Sequence, residues 1–262
     1  MSNLPELAWE VKREILEMSV ASQKPHLSSC LSVSDILVSL FEVKKSLGYG
    51  EVYLSKGHAA LALYCVLKQF GVISEADLRS YCANGSIFEG HVNSRIDGVP
   101  LSTGSLGHAL AFALGSALAD SKKSIKASHW VVLSDGELNE GSNWESLLFA
   151  AHLQIPNLNV VIDRNRLQSL LGTEATVRLE PLKDKLEAFG WMVLQVEGHN
   201  PHALVNAMKV ATSESRPVAL IAETTKGHPL PSLMSEGVRY HYKPADQGHL
   251  LEFQALLPSD KV

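Results

Sequence analysis

Two hydrophobic segments are each followed by residues whose oxygen atoms can bind a cation. Asp135 comes soon after Val131–Leu133, and Asn165 comes soon after Val160–Ile162. If both segments are neighbouring strands, they lie about 4.8 Å apart. Two oxygen ligands of one Mg²⁺ are separated by at most about 4 Å. The spacing therefore allows Asp135 and Asn165 to share one metal ion.

A phosphate group fits the same place. Gly136 lets the backbone approach an anion closely, and a helix that begins nearby would offer free N–H groups. The same residue types are also common in turns and at helix N-termini, where they need no ligand. Spacing alone leaves both interpretations open.

Three histidines follow turn-forming residues, in Pro25-His26, Gly57-His58 and Gly90-His91. Imidazole titrates near neutral pH, so a histidine on a loop can remove a proton from a substrate and return it. The alternative is that each histidine is an ordinary surface or capping residue, which is the commoner case for a histidine taken alone.

The elements that must position these residues are predicted from periodicity. Helical spacing of apolar residues occurs at Leu7–Met18, Ser34–Phe41, Ala59–Phe70, Trp144–Leu153 and Pro201–Ala211. Short β-branched runs occur at Trp130–Leu133, Leu158–Ile162, Trp191–Val196 and Pro217–Ala222. Alternating strands and helices predict an α/β fold with a parallel sheet and helices on both faces. We expect one domain over residues 1–262, in which Gly98–Ala119 is a loop entering a buried helix of small residues.

Composition excludes several classes of function. The 262 residues include 23 Lys+Arg and 28 Asp+Glu, so the basic surface of a nucleic-acid-binding protein is missing. The three cysteines form no CxxC pair, which argues against a disulfide framework. The N-terminus lacks an export signal, and the longest uncharged run, Gly98–Ala119, is interrupted by Pro100 and several glycines. We expect a cytoplasmic protein that does not enter a membrane.

The segment from Asp135 to Glu145, with Asn165 thirty residues after Asp135, resembles the thiamine diphosphate motif of the transketolase family. The resemblance covers roughly residues 8 to 244. Further segments match in order: Lys24-Pro25-His26, Leu31–Leu37, Leu54–His58, Gly90-His91, Ser102–His108, Glu223–His228 and Tyr240-His241. It implies the thiamine-diphosphate-binding fold, which agrees with the α/β prediction.

The resemblance also implies thiamine diphosphate and Mg²⁺ (or Ca²⁺) as cofactors. The metal ligands would be the side chains of Asp135 and Asn165 and the backbone carbonyl of Leu167. The residues implied to bind the cofactor are His58, Gly104, Leu106, Gly107, His108, Gly136, Glu137, Asn165, Lys226 and His241.

Four residues are implied to be catalytic. His26 and His91 would face the sugar, and His241 would serve both the cofactor and catalysis. Glu140 would lie at a subunit interface and communicate with the cofactor ring, although an acidic residue there can also simply cap the next helix. Lys226-Gly227-His228 is either an ordinary loop or a lid over the diphosphate.

The implied activity is transfer of a two-carbon ketol unit between sugars or sugar phosphates. In the family a pyrimidine-binding domain follows this region, and this sequence does not contain one. We therefore expect an N-terminal subunit that needs a separate C-terminal subunit. The two would form a heterotetramer, with two copies of this chain joined through Gly104–Ala119.

Two alternatives stay open. One is a related thiamine-diphosphate reaction, in specialised branched-sugar biosynthesis, deoxyxylulose-phosphate synthesis or 2-oxo-acid decarboxylation. The other is a non-catalytic subunit that retains the fold.

Overall fold

The computed structural model of the chain describes residues 3–47 and 49–256, and the strands in this part form one parallel sheet. The order across the sheet is β1-β2-β3-β5-β4. The strands are β1 (Val52–Leu54), β2 (His129–Ser134), β3 (Leu158–Arg164), β4 (Met192–Glu197) and β5 (Val218–Glu223).

Helices cover both faces of this sheet, because the central strands are apolar on both sides. Val132 and Val161 point into one hydrophobic cluster, whereas their neighbours Val131 and Val160 belong to another. The first cluster includes residues of α1 (Leu4–Ser22), α2 (Leu27–Leu47), α3 (Ala60–Gln69), α4 (Glu75–Arg79), α9 (Pro201–Thr212), α10 (Pro231–Glu236) and α11 (Gln247–Leu256). The second includes residues of α5 (Ala109–Lys122), α6 (Gly141–His152) and α8 (Leu182–Ala188), and α7 is the single turn Thr173–Thr176.

The predicted α/β fold is therefore confirmed, with shifts at the element ends. β3 runs two residues further than predicted, so Asp163 and Arg164 belong to the strand and Asn165 is the first residue after it. Strand β1 was not predicted, because a run of three residues carries no periodicity. Within residues 3–47 and 49–256, no helix is both long and apolar enough to cross a lipid bilayer.

The expectation of a buried helix within Gly98–Ala119 is only half right. Helix α5 buries Ala113 and Ala117 against the sheet, but Phe112 on its outer side is 49% exposed. The exposed face of this helix could not be predicted from the sequence, because small residues occur on all its sides and alanine and glycine give almost no amphipathic signal.

The register of the sheet brings the important strand ends together. Ser134 at the end of β2 pairs with Asp163 near the end of β3, and the N–H of Asp135 donates to the carbonyl of Asp163 at 3.3 Å. The segments after the two strands therefore start side by side. In parallel sheets ligands bind at this carboxyl edge.

Candidate active site

A cavity of about 280 Å³ opens at the carboxyl ends of β1, β2 and β3. Its lining comes from segments far apart in the sequence, including the turn between α1 and α2, the segments after β1, β2, β3 and β5, and the short 3-10 helix Arg239–His241. The lining residues are His26, Ser29, Lys56, His58, His91, Gly104, Leu106, Ser134, Gly136, Glu137, Asn165, Leu167, Gln168, Ser169, Lys226, His241 and Tyr242.

Four imidazole rings meet in this cavity. The His26 ring centroid lies 5.2 Å from that of His58, 6.0 Å from that of His91 and 4.9 Å from that of His241. His26 has a positive φ of 74°, which is uncommon for a residue other than glycine. Its backbone N–H donates to the carbonyl of His241 at 3.1 Å, which ties the two loops together.

Burial keeps three of these rings neutral near pH 7. It lowers the pKa of His26 to about 4, with a further contribution from His91, and that of His241 to about 3, with a contribution from Lys226. Burial and the charge of Lys56 hold the pKa of His58 well below its usual value. A neutral imidazole has one donor and one acceptor nitrogen, so it can hydrogen-bond a hydroxyl group in either direction.

A buried ion pair between Lys56 and Asp163 lies next to the histidines. Their side chains are 1% and 0% exposed. Asp163 also accepts hydrogen bonds from the hydroxyls of Ser32, at 2.6 Å, and Thr224. Burial alone would raise the pKa of Asp163, but the charge of Lys56 and these hydrogen bonds outweigh it and lower the pKa.

The carboxylate of Asp135 is completely buried and mostly hydrogen-bonded. Its Oδ1 accepts the N–H of Gly136 at 2.8 Å, and its Oδ2 accepts the N–H of Arg166 at 2.6 Å and Nη1 of Arg164 at 3.1 Å. Burial and the charge of Asp163 raise the pKa of Asp135 to about 6, against the effect of these donors. A carboxylate has about four acceptor positions, so one position on Oδ1 is left for a metal ion.

Asn165 offers a second oxygen ligand. Its Oδ1 accepts the N–H of Leu167 at 3.1 Å, and an amide oxygen has room for one more partner. Hard oxygen donors of this kind suit Mg²⁺ or Ca²⁺. The donor set therefore fits the predicted metal.

The cavity also fits a diphosphate. Lys56 and Lys226 supply positive charge, and burial together with Lys56 lowers the pKa of Lys226 to about 8, which leaves it mostly protonated at pH 7. Nζ of Lys226 lies 3.1 Å from Nδ1 of His241. A Cβ on Gly136 would come within 2.8 Å of Cγ of Gln168, so a larger residue here would force the Gln168 side chain to move.

Most of the residues predicted from the sequence line this cavity. They are His26, His58, His91, Gly104, Leu106, Gly136, Glu137, Asn165, Leu167, Lys226 and His241. Asp135 lies behind the wall, between two lining residues. Glu137 is buried, and its carboxylate accepts the N–H of Gly107 at 2.9 Å and the hydroxyl of Ser55. Burial raises the pKa of Glu137.

Gly107, His108 and Glu140 do not line the cavity. Gly107 is buried, with its N–H held by Glu137, and a Cβ on it would lie 2.8 Å from Cβ of Glu140. His108 and Glu140 are exposed and occupy the N-cap positions of α5 and α6, where neither side chain makes a capping hydrogen bond. A purely capping role for Glu140 therefore has no support in the structure.

Sequence reasoning missed the residues that hold the cavity walls. Lys56 stands directly before the Gly57-His58 pair, and Asp163 stands two residues before Asn165, so both lie inside segments that drew attention for other reasons. A lysine and an aspartate that are 107 positions apart carry no sequence signal of their pairing. Arg164 was also missed. It is fully buried and binds Asp135, Glu174 and Glu180.

A family model described as "Transketolase, thiamine diphosphate binding domain" matches residues 47–248. The chain belongs to this transketolase family. One of the subunits of apulose-4-phosphate transketolase from Actinobacillus succinogenes is 36% identical over 250 residues, and the match covers 92% of this chain and 90% of that protein. Human transketolase is 32% identical, with 92% of this chain and 40% of the human protein covered.

Solved structures agree with the fold. Transketolase from Campylobacter jejuni superposes with a TM-score of 0.86 at 24% identity, over 96% of this chain and 42% of that chain. A transketolase variant from Pichia stipitis gives 0.87 at 23% identity, over 99% of this chain and 43% of that chain. The resemblance and the thiamine-diphosphate-binding fold inferred from the sequence are thus confirmed, and this transketolase-family chain spans less than half of those longer proteins.

The Lys56–Asp163 pair leads to a stability prediction. Asp163→Asn leaves the Lys56 ammonium buried without a counter-charge, and breaking such a pair costs about 3–5 kcal/mol. We expect the free energy of unfolding, measured by urea denaturation near pH 7, to fall by about that amount. Because the pKa of Asp163 is lowered, the pair stabilises at neutral pH and its contribution is lost as the pH falls through that pKa.

The matched control is Lys183→Ala, which removes the exposed pair between Lys183 and Glu187. This variant should lower the free energy of unfolding by less than about 1 kcal/mol. Equal losses in the two variants would show that the buried pair has no special role in stability.

Proposed function

We propose that this chain is the N-terminal subunit of a transketolase, which transfers a two-carbon ketol unit from a ketose or ketose phosphate to an aldose acceptor. The observation that carries the proposal is the single cavity in which four histidines and two lysines meet beside Asn165, with Asp135 directly behind its wall. The residues to which we assign metal binding, anion binding and proton transfer thus lie at one edge of the sheet.

The metal and the diphosphate would be held by different parts of the cavity. Asp135, Asn165 and the carbonyl of Leu167 hold Mg²⁺ or Ca²⁺, and Lys226 contributes positive charge to the diphosphate. Thiamine diphosphate, when bound, stabilises the carbanion of the transferred unit. The remaining cavity residues proposed to bind the cofactor are His58, Gly104, Leu106, Gly136, Glu137 and His241. For Gly107 and His108, which do not line the cavity, cofactor binding stays a prediction from the sequence.

His26 and His91 bind the sugar in this proposal. Nδ1 of His26 is buried and has no hydrogen-bond partner within the described part of the chain. A buried polar atom without a partner costs about 1–3 kcal/mol, so a substrate hydroxyl that bonds to it removes that penalty. The neutral ring can accept a proton from a donor hydroxyl and return it later to the acceptor.

The partner is a separate C-terminal subunit. Two relatives that this chain covers almost fully, at 90% and 85% of their length, are each named as one of the subunits of apulose-4-phosphate transketolase, whereas the chain covers only 40% of human transketolase. These names also support a more specific second candidate, in which the ketose donor is a branched-sugar phosphate such as apulose 4-phosphate.

We also propose that the chain forms one domain over residues 1–262 and that it is a cytoplasmic protein.

Two copies of the chain pair within a heterotetramer in this proposal. Phe112 on α5 and Leu148 and Phe149 on α6 are each about half exposed, and the two helices contact one another. Large apolar side chains grouped on a surface are typical of an interface. Glu140, at the start of α6, would then lie near the boundary between the copies, as predicted for it.

An activity assay tests whether the enzyme needs two separate polypeptides. We purify the chain alone and together with its C-terminal partner, saturate both samples with thiamine diphosphate and Mg²⁺, and follow transfer from a ketose phosphate to an aldose phosphate. Turnover should require the second polypeptide, because this chain supplies only part of the contacts. Robust turnover by the chain alone would refute the split-subunit proposal.

Metal dependence is tested by calorimetry of thiamine diphosphate binding to the assembled enzyme. Excess chelator should weaken binding at least about tenfold, the factor that 1.4 kcal/mol represents, because the diphosphate then faces buried carboxylates without a neutralising cation. Asp135→Asn should weaken binding in the same direction, because it replaces a charged oxygen ligand of the metal by a neutral one. Asp184→Asn changes an exposed carboxylate on α8 and should have no effect. Unchanged affinity in chelator would count against the metal site.

The two histidine roles should separate in kinetics. His58→Ala should mainly weaken cofactor binding, whereas His26→Ala should lower sugar turnover with cofactor affinity nearly unchanged. His202→Ala, an exposed histidine on α9, is the control and should resemble the wild type. If both cavity variants show the same defect in cofactor affinity and turnover, the proposed division of roles is wrong.

A further inference from the structure

The segment Thr224–His228, which we name the Lys226 loop, directly follows β5 and is held at several points. The hydroxyl of Thr224 donates to Asp163, and the N–H of Gly227 donates to the carbonyl of Ser28 at 3.2 Å. Between these two points the N–H of Thr225 donates to Nε2 of His199 at 2.8 Å. This last contact comes from a side chain on a different strand end.

His199 lies in the turn between β4 and α9 and connects the loop to the N-terminal helices. Its Nδ1 is 2.8 Å from Oδ2 of Asp35 on α2, and Oδ1 of Asp35 binds Lys12 on α1. The side chains of Lys12 and Asp35 are 3% and 2% exposed. Burial would raise the pKa of Asp35, but Lys12 and His199 outweigh it and lower the pKa.

These contacts fix the tautomer of His199. Because Nε2 accepts a hydrogen from the Thr225 amide, the ring proton sits on Nδ1 and is donated to Asp35. The ring is also stacked on His228, with centroids 3.8 Å apart and planes inclined by 17°. The imidazole therefore presents its acceptor nitrogen to the loop in a single orientation.

We propose that His199 is a positioning residue, which holds the backbone of Thr225 so that Lys226 reaches the cavity beside His241. The inference rests on the proposed function, in which Lys226 binds the diphosphate. It goes further because His199 is outside the cavity and acts only through the loop. Thr225 itself is exposed, and its amide is held by the bond to Nε2 of His199.

A metal site is the competing explanation for the same residues. Asp35, His199 and His228 offer ligand atoms that all lie within 4.8 Å of one another. However, the Lys12 ammonium already neutralises Asp35, and its positive charge would repel a cation. The Thr225 amide also occupies one nitrogen of His199. The contacts therefore favour positioning over metal binding.

Two substitutions of His199 distinguish the role of Nε2, which accepts from Thr225, from the role of Nδ1, which donates to Asp35. Glutamine can place an amide oxygen near the position of Nε2 and keep the acceptor for Thr225, whereas asparagine can keep a donor near Nδ1 for Asp35 and removes that acceptor. His202→Asn changes an exposed histidine three residues away and is the control. The full chain is used throughout, and its melting temperature checks that each variant is folded.

Amide hydrogen exchange measured by NMR tests the positioning directly, without any ligand. In His199→Asn the exchange of the Thr225 amide should accelerate about tenfold, which corresponds to the loss of one hydrogen bond of ordinary net strength. Exchange in β3 and in α9 should stay as in the wild type. His199→Gln should restore slow exchange of the Thr225 amide, which a general loss of stability would not produce.

Affinity for inorganic diphosphate in the presence of Mg²⁺, measured by calorimetry, tests the consequence. It should fall in His199→Asn and recover in His199→Gln. The positioning role is overturned if Thr225 exchanges equally in all variants, if its exchange changes while diphosphate affinity does not, or if the chain binds one Zn²⁺ in a manner that requires His228. Unchanged affinity in Lys226→Met would instead refute the diphosphate role of Lys226, which belongs to the proposed function.

Discussion

Lys56 and Asp163 meet where four separate segments of the chain come together, and both side chains are almost inaccessible to water. Lys56 follows β1, Asp163 lies in β3, and the two hydroxyls that also bind Asp163 come from α2 and from the segment after β5. A buried charge is tolerated only when it is paired and hydrogen-bonded. The requirement to satisfy Asp163 therefore sets the relative positions of these segments.

The same pair explains the electrostatics of the cavity. Asp163 neutralises the charge of Lys56. Lys226 has a lowered pKa, but it is still mostly charged at pH 7. The neutral rings of His26, His58 and His241 add hydrogen-bonding capacity without adding charge. This balance of charge is what the proposed binding of a metal diphosphate requires.

Arg164 extends this network of charges to Asp135. It is buried beside Asp135 and shares its charge with Glu174 and Glu180, so the carboxylate is held in place by a cation that is itself partly neutralised. The amide of Arg166 fixes the same oxygen atom of Asp135. Both oxygen atoms of this carboxylate are thus held in place by donors of the protein.

Much of this organisation follows from the sequence alone. The period of apolar residues predicts α1, α2, α3, α6, α9 and four of the strands, because burial of one helix face or of whole strands leaves a regular pattern. The segments that contain Asp135 and Asn165 could also be predicted to lie at a ligand site, since polar oxygen donors directly after apolar strands are typical of the ligand-binding edge of a parallel sheet. The fold class follows from these patterns, whereas the family membership was inferred from the resemblance of motifs that occur in order along the chain.

Other features were decided only by the tertiary structure. The short strand β1 has no periodicity of its own, and its place at the edge of the sheet comes from pairing with β2. The partners of Lys56 and of His199, and the face of α5 that is left exposed, depend on which distant segments pack together. Local sequence encodes the tendency of each segment to form a helix or a strand, whereas these pairings are selected by the cost of burying unpaired charges and polar atoms in the folded chain.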